Sequence, residues 1–343
     1  TGSAGVHLEG AGTKVASTGG GLTIIGLGGN SSGLALANRG VEILSGAQVA
    51  STGGGSITIT GFGGSSTSGN QGVAIVGTGA KVASSGGAIS IEGHGGGSAT
   101  GIANYGVLVV NGGQVEGTGS APVTITGFGG LGTASNNFSG QMGVYIGGDI
   151  TGVIGVPEYV VRTADGNLTL NGTGGGSVVG YGTLIRAGAV VEATGSGNVL
   201  IDGTGSLTGT SFNHGVVVTQ AGTTVRTNTG NITIGIPVGP GAGALGGGTG
   251  SNNLGVAIIG GALVQKTGSG GAITITGTGG GGGAGSNNYG VAFSGATTQI
   301  LANNGTITIN GTASGGASPG VFATGGFLLP PSTANINAGA GGT

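Results

Sequence analysis

The sequence predicts an all-β protein: a single-stranded parallel β-helix (a β-solenoid) with three short strands in each coil. Val, Ile and Thr alternate in short runs, as they do in half-buried strands. A Gly-led phrase also returns along the whole chain, and repeats of 20 to 50 residues are typical of solenoids, propellers and arrays. The glycines that open the phrase are Gly5, Gly40, Gly72, Gly106, Gly143, Gly182, Gly215, Gly255, Gly290 and Gly320. We therefore expect one continuous domain over residues 1–343, with about ten coils of about 35 residues each.

The amino-acid composition argues against several classes of protein. The chain has 94 Gly among 343 residues but no Gly-X-Y triplet period, which excludes collagen. It is 36% hydrophobic and only 5% charged, whereas disordered chains are rich in charge. Its seven Lys and Arg are scattered, which argues against a nucleic-acid partner. No apolar run approaches 18 residues, so we expect no membrane span.

The three predicted strands of a coil have different patterns. The first follows the phrase glycine, as in Val41-Glu42-Ile43, and the second centres on one apolar residue, such as Val49. In the third, the first and third residues are Val, Ile or Leu, so they should point inward, and the middle residue should point outward. This outward column contains Thr23, Thr58, Thr124, Thr169, Thr233, Thr274 and Thr308, with Ser90 and Leu200 at the equivalent positions in two repeats.

A second column consists of Asn residues two positions before the phrase glycine. Asn tolerates left-handed backbone and forms local hydrogen bonds at turns, and stacked Asn side chains can also bond to one another. We interpret the column as a structural turn column, formed by Asn38, Asn70, Asn104, Asn213, Asn253 and Asn288.

The repeated phrase, as in "NYGVLVVNGGQVEGTGSAPVTITGFGG" from Asn104 to Gly130, resembles the large repetitive bacterial surface proteins of the filamentous-haemagglutinin and adhesin kind. The similarity extends over essentially the whole chain. It implies a secreted, right-handed parallel β-helix that serves as an adhesive stalk or fibre. The chain contains no recognisable secretion domain or receptor-binding module of such proteins.

Reactive groups are sparse. The nine acids fall mostly in different repeats and columns, and His7, His94 and His214 occupy different phases. A polysaccharide-binding or polysaccharide-degrading β-helix is the enzymatic alternative, and hydrolysis would need paired carboxylates about 5 to 9 Å apart. We expect no catalytic residue, no metal site and no cofactor.

Two stretches depart from the regular phrase, near 147–166 and 235–253, and we expect both to be loop insertions. The first of these stretches contains several charged residues and an aromatic residue close together in the sequence. It is the candidate lateral or partner patch, with cell-surface glycans as one class of ligand, and its residues are Asp149, Glu158, Tyr159, Arg162 and Asp165.

The outward Thr column is also compatible with a different function, which is ice binding by a flat β-solenoid face. Ice-binding solenoids usually present paired Thr as T-x-T on most coils. Here only the repeats at Thr58, Thr124 and Thr274 have the pair, and Glu92 and Asp202 interrupt it. Ice binding is therefore an alternative to the main interpretation.

The main interpretation is a secreted structural protein of the cell surface or the extracellular space. We expect the chain to be a segment of, or a subunit in, a longer fibre, sheath or adhesin stalk. The first repeat shows no polar cap, and bare strand edges invite pairing. The expected partners are therefore copies of the same chain, stacked end to end.

Overall fold

The structure is a computed structural model that describes residues 2–30, 37–133, 140–147, 160–176, 178–236, 243–282, 285–314, 318–325 and 333–339. Every regular element within these ranges is a β-strand. The strands form three parallel sheets that share one hydrophobic interior. The predicted fold class, a parallel β-solenoid with three short strands per coil, is confirmed.

Most coils contribute one strand to each sheet; coil seven contributes two short strands to the third sheet, and the described residues of coil ten contribute none to the second. The first sheet contains Val6–Glu9, Val41–Leu44, Val73–Val76, Val107–Val110, Val144–Gly147, Thr183–Arg186, Val216–Thr219, Val256–Ile259, Val291–Ser294 and Val321–Thr324. The second contains Lys14–Ser17, Gln48–Ser51, Lys81–Ser84, Gln114–Gly117, Val160–Thr163, Val190–Ala193, Thr224–Thr227, Leu263–Lys266 and Gln299–Ala302. The third contains Leu22–Leu27, Ile57–Phe62, Ile89–His94, Val123–Phe128, Leu168–Thr173, Val199–Thr204, Ile232–Ile234, Ala244–Leu245, Ala272–Thr278, Thr306–Thr312 and Thr333–Gly339. We number the coils from one to ten by the strands of the first sheet.

The interior is built from columns of equivalent residues. Parallel pairing places Val73 beside Val107 and Ile75 beside Val109, and the same register continues from coil to coil. Successive residues of a strand point to opposite faces, so the first and third residues of the first-sheet and third-sheet strands point inward. Ile57 and Ile59 of the third sheet are fully buried. The aliphatic residues predicted to point inward thus form one continuous core.

The phrase glycines are required by a tight corner. Near the end of most third-sheet strands a glycine lies against the phrase glycine of the next coil, as Gly61 lies against Gly72; in coil seven Ala244 takes the first of these positions. A Cβ atom on Gly61 would lie 2.0 Å from the carbonyl oxygen of Gly72, and one on Gly72 would lie 2.2 Å from the backbone nitrogen of His94. Real Cβ atoms do not approach so closely, so neither position accepts a side chain without a shift of the backbone.

The six Asn of the turn column are fully buried and are linked from coil to coil. The side-chain Oδ1 of each accepts a backbone N–H from the preceding coil. Asn70 N–H donates to Asn104 Oδ1 at 3.0 Å, and Asn213 N–H donates to Asn253 Oδ1 at 2.9 Å. The amide NH₂ of Asn253 donates to the carbonyls of Thr210 and Gly250, both at 3.0 Å. We call this column the buried Asn ladder; it satisfies backbone groups that no strand can reach.

The buried Asn ladder tolerates replacement where another acceptor is available. Gln141 takes the position in coil five, and its Oε1 accepts from Asn104 N–H at 3.0 Å. Ser318 takes it in coil ten, where its Oγ accepts from Asn288 N–H at 3.1 Å. Gly180 occupies it in coil six, and there the N–H of Gln141 donates instead to the Val179 carbonyl at 3.0 Å.

A second, exposed Asn ladder precedes the third sheet in coils five to seven. Asn198 N–H donates to Asn167 Oδ1 at 3.1 Å, and Asn231 N–H donates to Asn198 Oδ1 at 2.8 Å. Each side chain here accepts from the following coil, the reverse of the buried ladder. Sequence reasoning missed this ladder, although Asn directly before three successive third-strand segments was the available signal.

The described parts of the two predicted insertions lie close to the regular coil. Within 147–166, Gly147 ends a first-sheet strand and Val160–Thr163 pairs with both neighbouring coils in the second sheet; 148–159 lie outside the described residues. Within 235–253, Ala244–Leu245 already lies back in the third sheet, with Leu245 opposite Thr204. Pairing in the third sheet is therefore present again from Ala244, and residues 237–242 of the predicted insertion lie outside the described residues.

Removing one rung of the buried ladder should destabilise the protein. We expect Asn253→Ala to lower the free energy of unfolding by roughly 1–3 kcal/mol, because it leaves the buried Asn213 N–H without an acceptor and removes one of two donors from each of the Thr210 and Gly250 carbonyls. Urea unfolding followed by circular dichroism measures the loss. Asn198→Ala in the exposed ladder is the control and should cost less than about 1 kcal/mol, since water replaces the lost partner. Equal losses of unfolding free energy in the two variants would contradict the expectation that a lost hydrogen bond costs more in the buried ladder than in the exposed one.

Candidate functional site

The outer face of the second sheet has a column of alternating charge. Glu116, Arg162, Glu192 and Arg226 occupy the same position in coils four to seven and are direct neighbours in register. Arg162 Nε donates to Glu116 Oε1 at 2.7 Å, and Arg226 Nε donates to Glu192 Oε2 at 2.6 Å. We call these four residues the charge column. They link consecutive coils, and opposite charges at the same phase of successive repeats were the sequence signal that was missed.

Glu116 is the centre of this network because Lys81 also forms an ion pair with it. Desolvation by burial would raise the pKa of the Glu116 carboxyl, but Lys81 and then Arg162 outweigh it and hold that pKa below its usual value. The carboxylate is thus ionised at ordinary pH and shared between two cations. A carboxylate that is held ionised between two cations is poorly suited to act as a general acid at neutral pH.

The candidate patch predicted in coil five is only partly described. Asp149, Glu158 and Tyr159 lie outside the described residues. Arg162 bonds to coil four through Glu116, whereas Asp165 bonds to coil six. The backbone N–H and then the hydroxyl of Ser196 donate to Asp165 Oδ1 at 2.9 and 3.0 Å, and they lower the pKa of that carboxyl. The two described members therefore make contacts between coils in opposite directions along the axis.

The outward Thr column lies on the third sheet. Thr58 pairs with Thr23 on one side and Ser90 on the other, and Thr274 lies between Thr233 and Thr308. Thr124 and Thr169 are also neighbours, and Leu200 follows Thr169. The aliphatic residues flanking each Thr within its strand face the core. The face is regular along the axis, but its hydroxyl column is interrupted once by an apolar side chain.

An aromatic stack lies beside the Thr column at the ends of three third-sheet strands. The His94 ring lies 4.8 Å from Phe62 and 4.7 Å from Phe128, with interplanar angles of 10° and 12°. Both faces of the imidazole are therefore covered by phenyl rings. The His94 Nε2 also lies 2.7 Å from a Glu92 carboxylate oxygen of the same strand. The stack joins coils two, three and four on their outer side.

A glycine-lined groove of about 530 Å³ runs next to this aromatic stack. Its floor contains the Gly-Gly corners that follow the third-sheet strands, such as Gly63 and Gly95, and Leu131 lies at its border. Added Cβ atoms on Gly63 and Gly95 would each lie 2.2 Å from the carbonyl of a buried Asn of the next coil. These glycines are therefore needed for packing of the corner, and the groove presents mainly backbone.

From coil three to coil nine the outer face of the first sheet is apolar and covered. Leu108, Tyr145, Leu184 and Val217 alternate with core residues, so they point away from the interior, yet each is at least nine-tenths buried. They form a second hydrophobic cluster, in which Tyr105 packs edge-on against Tyr145 with ring centroids 5.4 Å apart. The alternation of inward and outward residues does not predict that these outward side chains are buried. Their burial depends on which other side chains lie over the sheet.

The first coil exposes the core of the solenoid. Inward-pointing side chains are fully buried in coil two, but their equivalents in coil one are only partly buried. Within the described residues no further coil lies against them. The partly buried side chains are those of Val6, Leu8, Val15, Leu22 and Ile24.

A charged cluster joins the first coil to the second near this open end. The His7 imidazole lies between two carboxylates: its Nδ1 bonds to Glu42 and its Nε2 lies 3.1 Å from Glu9 Oε2. Arg39 donates to the second oxygen of Glu42 at 2.8 Å. The hydrogen bond to Glu42, with a smaller contribution from Glu9, raises the pKa of His7 above its usual value although desolvation opposes it. Both ring nitrogens can donate at once only in the imidazolium form.

Two other features are absent from the part of the chain that the structure describes. No group of three or more His, Cys, Asp or Glu side chains there has a geometry that could hold a metal ion. No helix there is long and apolar enough to cross a membrane.

Together, the three parallel sheets and their coil-to-coil register define a β-solenoid repeat protein of the parallel β-helix class. No protein-family model, curated protein or solved structure matches the chain. The architecture and the side chains on its surfaces therefore carry the functional argument.

The first coil should loosen as pH rises. Because the pKa of His7 is raised on folding, the stabilisation is complete below its ordinary value of about 6.5 and is lost as pH rises through the raised value. Hydrogen exchange of the Val6 and Leu8 amides, corrected for intrinsic rates, should show faster local opening above that pH. In His7→Gln this pH dependence should disappear. If the local opening of the first coil still depended on pH in His7→Gln, this would contradict the assignment of the pH dependence to His7.

Proposed function

We propose that this chain is a structural segment of an extracellular fibre, sheath or adhesin stalk, in which β-helix coils stack end to end. The observation that carries the proposal is the open first coil. Its inward aliphatic side chains, among them Leu22 and Ile24, pack against coil two but remain partly exposed on the other side. A further coil would bury this surface and remove apolar area from water.

Unpaired backbone groups at the same end favour the same kind of partner. Leu22 N–H donates to the Ser56 carbonyl of coil two at 2.8 Å. Because successive residues of a strand direct their backbone groups to opposite edges, the N–H and C=O of Thr23 face away from coil two. A row of such groups is a template for another strand. The partner of matching chemistry is therefore another parallel β-coil.

Two sources of that coil are consistent with the proposal. One is a further stretch of the same repeat in a longer polypeptide, and the other is a second copy of this chain. Either would continue the sheets at the ordinary strand spacing of about 4.8 Å, so ten coils would advance the fibre by roughly 48 Å. The resemblance of the repeated phrase to large bacterial surface proteins supports a location outside the cell.

The side-chain chemistry along the solenoid suits a structural role better than a catalytic one. The described acids of the charge column are bonded to basic side chains of neighbouring coils, and the polar ladders are bonded to backbone. Such contacts hold coils in register. They extend along the axis, which is the direction in which a stalk bears load.

Blocking the open edge should prevent assembly. We expect the unaltered chain of residues 1–343 to form unbranched filaments at high concentration, seen by electron microscopy, with an axial repeat of about 48 Å. Thr23→Pro removes one donor from the open edge, and Pro is tolerated on edge strands. It should therefore keep the circular dichroism spectrum of the folded protein but lower self-association at least tenfold in analytical ultracentrifugation.

The matched control for this experiment is Thr23→Val, which keeps the N–H and has similar volume. It should assemble like the unaltered chain. A folded chain that stays monomeric at high concentration would contradict noncovalent stacking, and equal assembly of the Pro and Val variants would contradict strand pairing at this edge.

A further inference from the structure

A cavity of about 280 Å³ lies against the outer face of the first sheet, between coils six and eight. Its walls are mostly apolar, and Leu184, Val217, Leu254 and Ile259 contribute to them. The lining residues with polar side-chain atoms are Tyr181, His214, Thr219, Gln220 and Asn252. A mainly apolar cavity with a small number of convergent polar groups is the usual form of a small-molecule site.

His214 is the polar group that distinguishes this cavity. Its ring stacks on Tyr181 with centroids 4.8 Å apart, and the edge of Phe212 packs against it at 6.4 Å. Only 8% of the residue is exposed. The backbone N–H of Leu254 donates to His214 Nδ1 at 3.1 Å, so in the neutral ring the proton is on Nε2. No described residue accepts that proton, so the Nε2–H is available to a partner in the cavity that His214 lines.

The charge state of the cavity follows from its surroundings. Burial lowers the pKa of His214 to about 3, so the imidazole is neutral at ordinary pH. Burial also raises the pKa of Tyr181, whose hydroxyl therefore stays protonated. No carboxylate is among the described residues that line the cavity. Gln220 Oε1 already accepts from Arg186 Nε at 3.2 Å, which leaves the Gln220 amide NH₂ as a further donor.

We propose that this cavity binds a small, uncharged aromatic ring that has a hydrogen-bond acceptor, and that His214 Nε2–H donates to the acceptor. The apolar walls and the Tyr181 ring accommodate the aromatic part. The donors of His214, Tyr181 and Gln220 select an acceptor, and a cationic ligand is disfavoured because no described carboxylate lines the cavity to compensate its charge. The proposal does not rest on the fibre function, because it concerns a side face and not the open end.

A second cavity provides an internal comparison. It also measures about 280 Å³ and occupies the equivalent phase between coils two and four, where Ile102, Leu108 and Val110 contribute to its walls. It contains no His. Its basic residue, Arg39, bonds to Gln71 at 2.7 Å and to Glu42 at 2.8 Å. The two cavities share size and apolar walls, but the second has a cation and no neutral ring donor, so an acceptor-bearing ring should bind there more weakly.

The test uses the full chain and two ring compounds of nearly equal size, acetophenone with an acceptor and ethylbenzene without one. Methyl signals of Leu184 and Ile259 should shift on titration with acetophenone, and the His214 Nε2 signal should move in the same titration. A ligand of this size should bind with a dissociation constant on the order of 1 mM. Ethylbenzene should bind about 3- to 10-fold more weakly, the usual range for one net hydrogen bond.

His214→Phe keeps an aromatic ring and removes the donor, so it should abolish the preference for acetophenone. Because it also removes the acceptor for Leu254 N–H, the measurement on the unaltered chain stands as the primary test. Affinity for acetophenone should be constant between pH 5 and 8, since the ring stays neutral. The proposal is overturned if the Leu184 and Ile259 signals do not shift, if the Ile102 and Leu108 signals respond with equal affinity, or if ethylbenzene binds as well as acetophenone.

Discussion

The structure depends on one constraint: every coil must satisfy its backbone and bury its core against the coil above and the coil below. The segments are four to seven residues long in most positions, too short to be stable alone. Parallel pairing in register gives each strand of an inner coil two partners. It also brings the coils so close at the corners that a side chain on Gly61 or Gly72 would meet backbone atoms.

That constraint explains how the polar residues are used. Corners cannot pair as strands do, so their N–H groups need other acceptors. The buried Asn ladder provides them with one side chain per coil, and Gln141 and Ser318 show that the acceptor matters more than the residue type. The charge column and the exposed Asn ladder add contacts on the outside in the same axial direction. An end coil has only one neighbour. Its inward side chains are therefore covered on one side only, and its strands are paired along one edge only.

Residue types repeat closely at the positions that face the interior of the solenoid and vary at the positions that face outward. The three sheets enclose the same aliphatic interior, but their outer faces present ion pairs, hydroxyls with a ring stack, and a covered apolar cluster. Outer positions have fewer packing restraints, so chemistry can vary there without loss of the fold. The cavity at His214 lies at such outer positions, against the outer face of the first sheet.

The sequence by itself determined the repeat, the three strands per coil, the inward aliphatic columns and the stacked Asn positions. These follow from local alternation and from a phase that recurs every coil, both of which are readable along one chain. Only the tertiary structure decided that Glu116 meets Arg162 across the coil-five departure, that Tyr145 is buried although it points outward, and that His214 lines a cavity. Such contacts depend on which residues of different coils reach the same height and on what covers them. No pattern within a single repeat encodes that information.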